Sequence, residues 1–214
     1  METRIRWQSS LEGLPLRQAT ATSWAGIALR DLDGLLRDHA YCEKKAASAA
    51  LTLIAKLPAD PVLVRSMTAL AHEELRHFRQ VHDRIVRRGG RLGRPAPDRY
   101  VRLLRQRAFQ HRGGLGAEVD LLLVNALIEA RSCERMRLLV QGLEEGLGRI
   151  GHAERLELLR FYQGLATAEA RHWERFRDLA ARLQPTARVD ARLEGLGVLE
   201  AGIVAELPPA PRMH

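Results

Sequence analysis

Four apolar stripes run through this sequence at helical spacing, and each carries a glutamate near its middle. The first reads Leu32, Leu36, His39, Glu43, Ala46, Ala50, Leu53 and Leu57, and the second Leu63, Met67, Leu70, Glu74, His77, Val81 and Ile85. The third reads Leu115, Val119, Leu122, Ala126, Glu129, Cys133, Met136, Val140 and Leu143. The fourth reads Leu158, Tyr162, Leu165, Glu169, His172, Phe176, Leu179 and Leu183. Alternating steps of three and four place each set on one buried helix face. Strand-like alternation is scarce and β-branched residues are few, so the expected class is all-α. An ionised Glu inside a helical core is costly unless it is paired or bound to a metal. One such residue is an accident of packing; four in register need a common cause.

The breakers between stripes give the connectivity. Pro58-Ala-Asp-Pro61 ends the first helix and starts the second, and glycines 142, 146, 148 and 151 separate the third from the fourth, so each pair forms an antiparallel hairpin. Between second and third lies a long crossover, residues 86–114, with Gly89-Gly90, Pro95, Pro97 and Gly113-Gly114, and a short helix expected from an Asp98 cap to His111. The prediction is a ferritin-like four-helix bundle with one long crossover between helices 2 and 3 and short flanking helices. All 214 residues, 46% of them hydrophobic, suit one domain. Its bundle spans about 30–184, after a short helix or arm in residues 1 to about 29. A packing helix over about 187–206 (Val189, Leu193, Leu196, Ile203) and a mobile tail at 207–214 follow.

The second and fourth stripes add a histidine three residues after the glutamate, in Glu74-Leu-Arg-His77 and Glu169-Ala-Arg-His172. At i and i+3 both side chains leave one face and can meet on one ion. With Glu43 and Glu129 this is the ligand inventory of a carboxylate-bridged dinuclear centre, repeated as an internal duplication. Four carboxylates balance two divalent cations, and oxygen with imidazole suits iron, or manganese as a substitute. The two cysteines, Cys42 and Cys133, are too few for a thiolate site. Glu134 rivals Glu129 but shares a row with Asp120 and Arg131, and is read as surface. Glu73 is read as a solvated neighbour, and His72, His82, His111 and His152 as surface or cap residues. His39 either supports Glu43 by a hydrogen bond or is a satisfied core histidine. Cys133 is a small core filler or a pocket residue, and Cys42 points to a neighbouring helix. Ala46, Ala47, Ala49 and Ala50 leave room for a substrate or pack helices closely.

Charge adds a partner. With 34 basic and 26 acidic residues the net charge is +8, yet Arg84 to Arg112 alone holds ten arginines against one acid, Asp98. A phosphate backbone is the expected ligand of this patch, through Arg87, Arg88, Arg91, Arg94, Arg102 and Arg105, with Tyr100, Phe109 and His111 available for stacking. The arginine bias, with lysine only at 44, 45 and 56, also fits a GC-rich genome. No apolar run is long enough to span a membrane and the opening METRIRWQSS lacks a signal-peptide stretch, so a cytoplasmic protein without a membrane partner is expected, as a monomer or weak dimer.

Hydroxylases, ferroxidases, rubrerythrin-type peroxidases and manganese catalases all use such a site. Here the runs His39-Ala-Tyr-Cys-Glu43-Lys-Lys-Ala-Ala, Ala71-His-Glu-Glu-Leu-Arg-His77-Phe, Leu127-Ile-Glu129-Ala-Arg-Ser-Cys-Glu-Arg and Ala168-Glu169-Ala-Arg-His172-Trp-Glu resemble the motifs of the tRNA hydroxylase family MiaE, over about residues 15–205. The resemblance implies a non-haem diiron monooxygenase that hydroxylates the isopentenyl side chain of 2-methylthio-isopentenyladenosine next to the tRNA anticodon. Its iron ligands fall on Glu43, Glu74, His77, Glu129, Glu169 and His172. Dioxygen is then the co-substrate, and Glu74 and Glu169 are the expected bridges, with Glu43 and Glu129 able to shift coordination. No Gly-x-Gly-x-x-Gly follows a strand, so electrons are expected from a separate reductase. The competing readings are a peroxidase or ferroxidase in oxidative-stress defence and a metal-free helical interaction protein.

Overall fold

Three aspartates set where the chain enters helix. In the computed structural model, which describes residues 11–214, the Asp60 carboxylate accepts hydrogen bonds from the amides of Val62 and Leu63 at 2.9 and 3.1 Å, with Pro61 in the first helical turn. Asp31 and Asp98 cap in the same manner through the amides of Gly34 (2.9 Å) and Val101 (3.0 Å). The described residues form α1 (Ser23–Arg30), α2 (Leu32–Lys56), α3 (Pro61–Arg87), α4 (Arg99–Gln110), α5 (Ala117–Glu144), α6 (His152–Glu169), α7 (His172–Leu183) and α8 (Thr186–Glu206), with no strand among them. The short helix expected between Asp98 and His111 is α4. Of the amino-terminal arm, α1 lies within the described residues and the first ten lie outside them.

Packing follows the hairpins. α2 lies along α3, α5 lies along α6 and α7, and α2 barely meets α5. Apolar side chains form two blocks rather than one core. Leu53, Leu63, Met67, Leu70, Leu122 and Phe176 belong to the first. Leu35, Leu36, Val81, Leu139, Leu158 and Leu165 belong to the second. Glu43, Glu74 and His77 lie in the chain between the two blocks, as do Glu169 and His172, and Glu129 sits near the junction on α5, so that a polar layer crosses the bundle.

Two expectations need correction. The fourth stripe is not one helix: α6 ends at Glu169 and α7 begins at His172. A tightened turn, with the Arg171 amide on the Ala168 carbonyl at 3.1 Å, resets the axis at that point. The tail is also packed rather than mobile. The Trp24 indole donates to the Ala210 carbonyl and the Met213 amide to Asp38, both at 2.8 Å, and the Met213 side chain is fully buried. Proline prevents helix there, but partners distant in sequence hold the segment.

α5 is buried nearly all round. Glu134, expected on the surface, and Asp120 on the same row face a second layer made by α8 and residues 16–20. Arg131 is fully buried and donates to Glu134 at 2.8 Å, to both oxygens of Glu200 at 2.9 Å and to the Gln18 carbonyl at 2.8 Å. Glu134 also receives the Thr20 hydroxyl and amide, and Arg192 meets Asp120 at 2.7 Å. Charges that balance one another across the chain can be buried where a single charge cannot. Replacing Arg131 by Met removes the guanidinium that Glu134 and Glu200 share in the interior, and should destabilise the fold by about 3–5 kcal/mol in urea unfolding. A loss below about 1 kcal/mol, the worth of a surface pair, would contradict the network's role.

Candidate metal centre

The polar layer draws one side chain or two from each helix of the bundle. Glu43 comes from α2, Glu74 and His77 from α3, Glu129 from α5, Glu169 from the last position of α6 and His172 from the first of α7. All six are at least nine-tenths buried. His77 Nδ1 lies 3.3 Å from Glu169, 3.6 Å from Glu74 and 3.7 Å from Glu43. His172 Nδ1 lies 2.8 Å from Glu169 and 2.9 Å from Glu74. Ligand atoms gather in two groups, Glu43, Glu74, His77, Glu169 and Glu74, Glu129, Glu169, His172, each within 4.8 Å. Glu74 and Glu169 belong to both.

Chemistry tests whether a cation fits. Both oxygens of Glu74, both of Glu169 and Nδ1 of each histidine are buried without a hydrogen bond, although they lie close together. They converge without donor–acceptor geometry, an arrangement that is costly for an apolar interior and suited to divalent ions. Burial, then the neighbouring Glu169 and Glu43 carboxylates, push Glu74 up to about 8. Burial followed by Glu74 and Glu169 likewise raises Glu129. Burial alone would lower His77 and His172, but the surrounding carboxylates outweigh it and hold both well above the ordinary value. Burial would raise Glu169; His172 outweighs it and holds that carboxyl below the usual range.

Two supports flank the cluster. His39 Nε2 lies 2.6 Å from Glu43 and Nδ1 lies 3.4 Å from the Tyr162 hydroxyl, with the two rings stacked at 5.6 Å. Burial lowers His39 to about 4, so it is neutral: Nε2–H donates to Glu43 and Nδ1 accepts from Tyr162. This settles the two readings of His39 in favour of support for Glu43. Glu73 is not a free solvated neighbour, because it lies 3.3 Å from His172 Nε2 and 3.7 Å from Arg175. It lies beside the ring edge opposite Nδ1, as a charge partner rather than a hydrogen-bond acceptor. The adjacent Glu73-Glu74 pair was the sequence signal, but periodicity alone points Glu73 outward. Cys133 donates to the Ala166 carbonyl at 3.5 Å and sits in the core outside the cavity lining.

A cavity of about 520 Å³ runs from this cluster to the surface between α2, α4 and α5. Its floor is Glu43, Glu129 and Glu169, its middle includes Ala46, Ala49, Val101, Phe109, Leu121 and Ile128, and its exposed rim carries Lys45, Lys56 and Arg105. Ala47 and Ala50 are packing residues instead. A second groove, about 690 Å³ beside Trp173, is larger but touches none of the six residues. Of the arginines expected to meet phosphate, Arg105 lines the cavity and Arg87, Arg91, Arg94 and Arg102 are exposed. Arg88 is engaged by Asp33 at 2.6 Å and by Glu154, which leaves it less free. Tyr100 is unavailable for stacking, since it is buried and donates to Glu200 at 2.9 Å. Lys45, Lys56, Ser132 and His214 also line the cavity, and no periodic signal marked them.

Residues 13–214 match the family model described as tRNA-(MS[2]IO[6]A)-hydroxylase (MiaE). The chain is 38% identical over 195 residues to the tRNA 2-(methylsulfanyl)-N(6)-isopentenyladenosine(37) hydroxylase of Pseudomonas putida, covering 91% of this chain and 89% of that protein. It is 26% identical to the enzyme of that name from Salmonella typhimurium, over 86% and 81% of the two chains. Among solved structures it is similar to protein 43 with aldehyde deformylating oxygenase activity from Synechococcus, with a TM-score of 0.78 and 34% identity over 93% and 94% of the chains.

The trapped protons give a signed pH dependence. Between pH 6.5 and 8 the metal-stripped folded protein keeps protons on Glu74 and His77 that the unfolded chain, at ordinary values of 4.5 and 6.5, releases. Stability therefore falls as pH rises through that window, while His39 acts only below 6.5. The thermal midpoint of stripped protein should drop from pH 6.5 to 8, and added divalent cation, competing with those protons, should restore it most at pH 8. A midpoint that is flat or rising without metal contradicts the assignment.

Proposed function

Because the chain belongs to the MiaE family of tRNA hydroxylases, we propose that Glu43, Glu74, His77, Glu129, Glu169 and His172 hold two iron ions at the foot of its cavity. The reaction is hydroxylation of the isopentenyl side chain of 2-methylthio-isopentenyladenosine, next to the tRNA anticodon. Dioxygen is the co-substrate, electrons come from a separate reductase, and the protein works in the cytoplasm as a monomer or weak dimer.

The gradient along the cavity carries this reading. A prenylated adenosine in RNA is a polyanion outside, an aromatic base at the entrance and a short apolar chain within. The cavity offers Lys45, Lys56 and Arg105 at its rim, Phe109 and Val101 from α4 below them, an apolar throat, and carboxylates at its floor. Likeness to an aldehyde deformylating oxygenase supports oxygen activation over peroxide scavenging. An aldehyde group carries no charge for the basic rim to meet.

Roles follow from position. Glu74 and Glu169, common to both ligand groups, would help to hold both ions. Glu43 and Glu129 line the cavity and would hold the ions on the side open to substrate, with His39 steadying Glu43. His77, His172 and Glu74 close the site on the side away from the cavity, with Glu73 as a charge partner beside His172. Ala46, Ala49, Leu121 and Ile128 enclose the prenyl chain and exclude water. Iron held there would supply reduction of dioxygen, one oxygen atom entering a terminal C–H bond and the other leaving as water with two electrons and two protons.

Nucleoside mass spectrometry of tRNA from cells that make the prenylated, methylthiolated adenosine but cannot hydroxylate it tests the reaction. The gene should add one oxygen atom, and His77→Ala should abolish the gain; no gain with full iron loading overturns the reading in favour of ferroxidase or peroxidase activity. Arg105→Ala should weaken tRNA binding about threefold to tenfold and reduce the salt slope by about 1. An unchanged salt slope would place the phosphates elsewhere.

A further inference from the structure

Where α2 and α5 draw apart to make the cavity, the gap is spanned by the last residues of the chain. After α8 the segment 207–214 turns back over the bundle. The Ala210 carbonyl accepts from Trp24 of α1 at 2.8 Å, and the Arg212 carbonyl accepts from Arg135 of α5 at 3.0 Å. The Arg212 guanidinium donates to the Pro97 carbonyl in the crossover at 2.8 Å, and the Met213 amide to Asp38 of α2 at 2.8 Å. These contacts deliver the His214 ring into the cavity wall, where its side chain is 4% exposed.

His214 meets α2, α5 and the start of α4. Nε2 lies 2.7 Å from the Ser132 hydroxyl of α5, one turn beyond Glu129. Nδ1 lies 3.4 Å from the Cys42 thiol of α2, next to Glu43, and 3.7 Å from Asp98. Asp98 caps α4, the helix that bears Arg102, Arg105 and Phe109, and the imidazole stacks on Tyr100 of the same helix at 5.6 Å. Asp98 is also held by Lys45 from the cavity rim. One imidazole thus connects the helix of Glu43, the helix of Glu129 and the arginine-bearing crossover.

We propose that residues 210–214 form a clasp that completes the substrate cavity and fixes α4 over its mouth, with His214 as the positioning residue. The clasp sets the distance between the crossover cations and the carboxylate floor, and it keeps water from entering between α2 and α5. Its consequence for catalysis rests on the tRNA reading above; the clasp itself does not.

The test compares full-length, iron-loaded wild type with His214→Ala and His214→Gln. In the alanine variant Cys42 should react with an aromatic disulfide reagent about tenfold faster, with Cys133 as the internal control, and amide exchange at 98–101 should quicken. KM for tRNA should rise about tenfold, more than kcat changes, because positioning rather than chemistry is lost. Glutamine, which can still bond Ser132, should recover most of each effect. If thiol reactivity and exchange in the alanine variant equal wild type, or if glutamine is as impaired as alanine, the clasp is overturned. Should wild type hydroxylate no tRNA, the function fails, while the thiol and exchange readings still decide the clasp.

Discussion

Glu43, Glu74, Glu129 and Glu169 bring four carboxyl groups into a layer between two apolar blocks, where an ionised carboxylate loses its hydration and several kcal/mol with it unless a counter-charge is supplied. His77 and His172 supply part of that charge, and trapped protons supply more; two divalent ions would replace both. The helices are arranged around this need. Leucines above and below the layer hold the hairpins together, while the layer holds unsatisfied ligand atoms aimed inward.

A site of this kind must be held more rigidly than its own charges would keep it. α5 is fixed from behind by Arg131, Glu134 and Glu200, so Glu129 projects from a helix that is buried nearly all round. Glu43 is steadied by His39 and Tyr162, and His172 by Glu73. The break between α6 and α7 falls between Glu169 and His172, so each ligand leads from its own helix terminus rather than from one rigid face. On the side of Glu43, Glu129 and Glu169 the cavity opens toward the arginine-bearing crossover.

How much of this was legible in the sequence depended on whether a residue's partners share its period. The four stripes, the caps at Asp60 and Asp98 and the Glu-x-x-His tetrads are local patterns, and the cluster assembles from those positions. Glu134 reads as surface because a charged row on a helix normally faces water; Arg131 at i−3 neutralises it under a second layer, as Arg192, far along the chain, does Asp120 on the same row. Tyr100 was misread for the same reason, since Glu200 lies 100 residues away. The tail has no periodicity at all, and only the positions of Trp24, Asp38 and Ser132 in space explain its order.

Anomalous diffraction at the iron edge from crystals of iron-loaded protein tests the central claim most directly. The account predicts two peaks in the polar layer, one within reach of Glu43 and His77 and the other of Glu129 and His172, both touching Glu74 and Glu169. A single peak, or full iron loading at positions away from these six side chains, would contradict it.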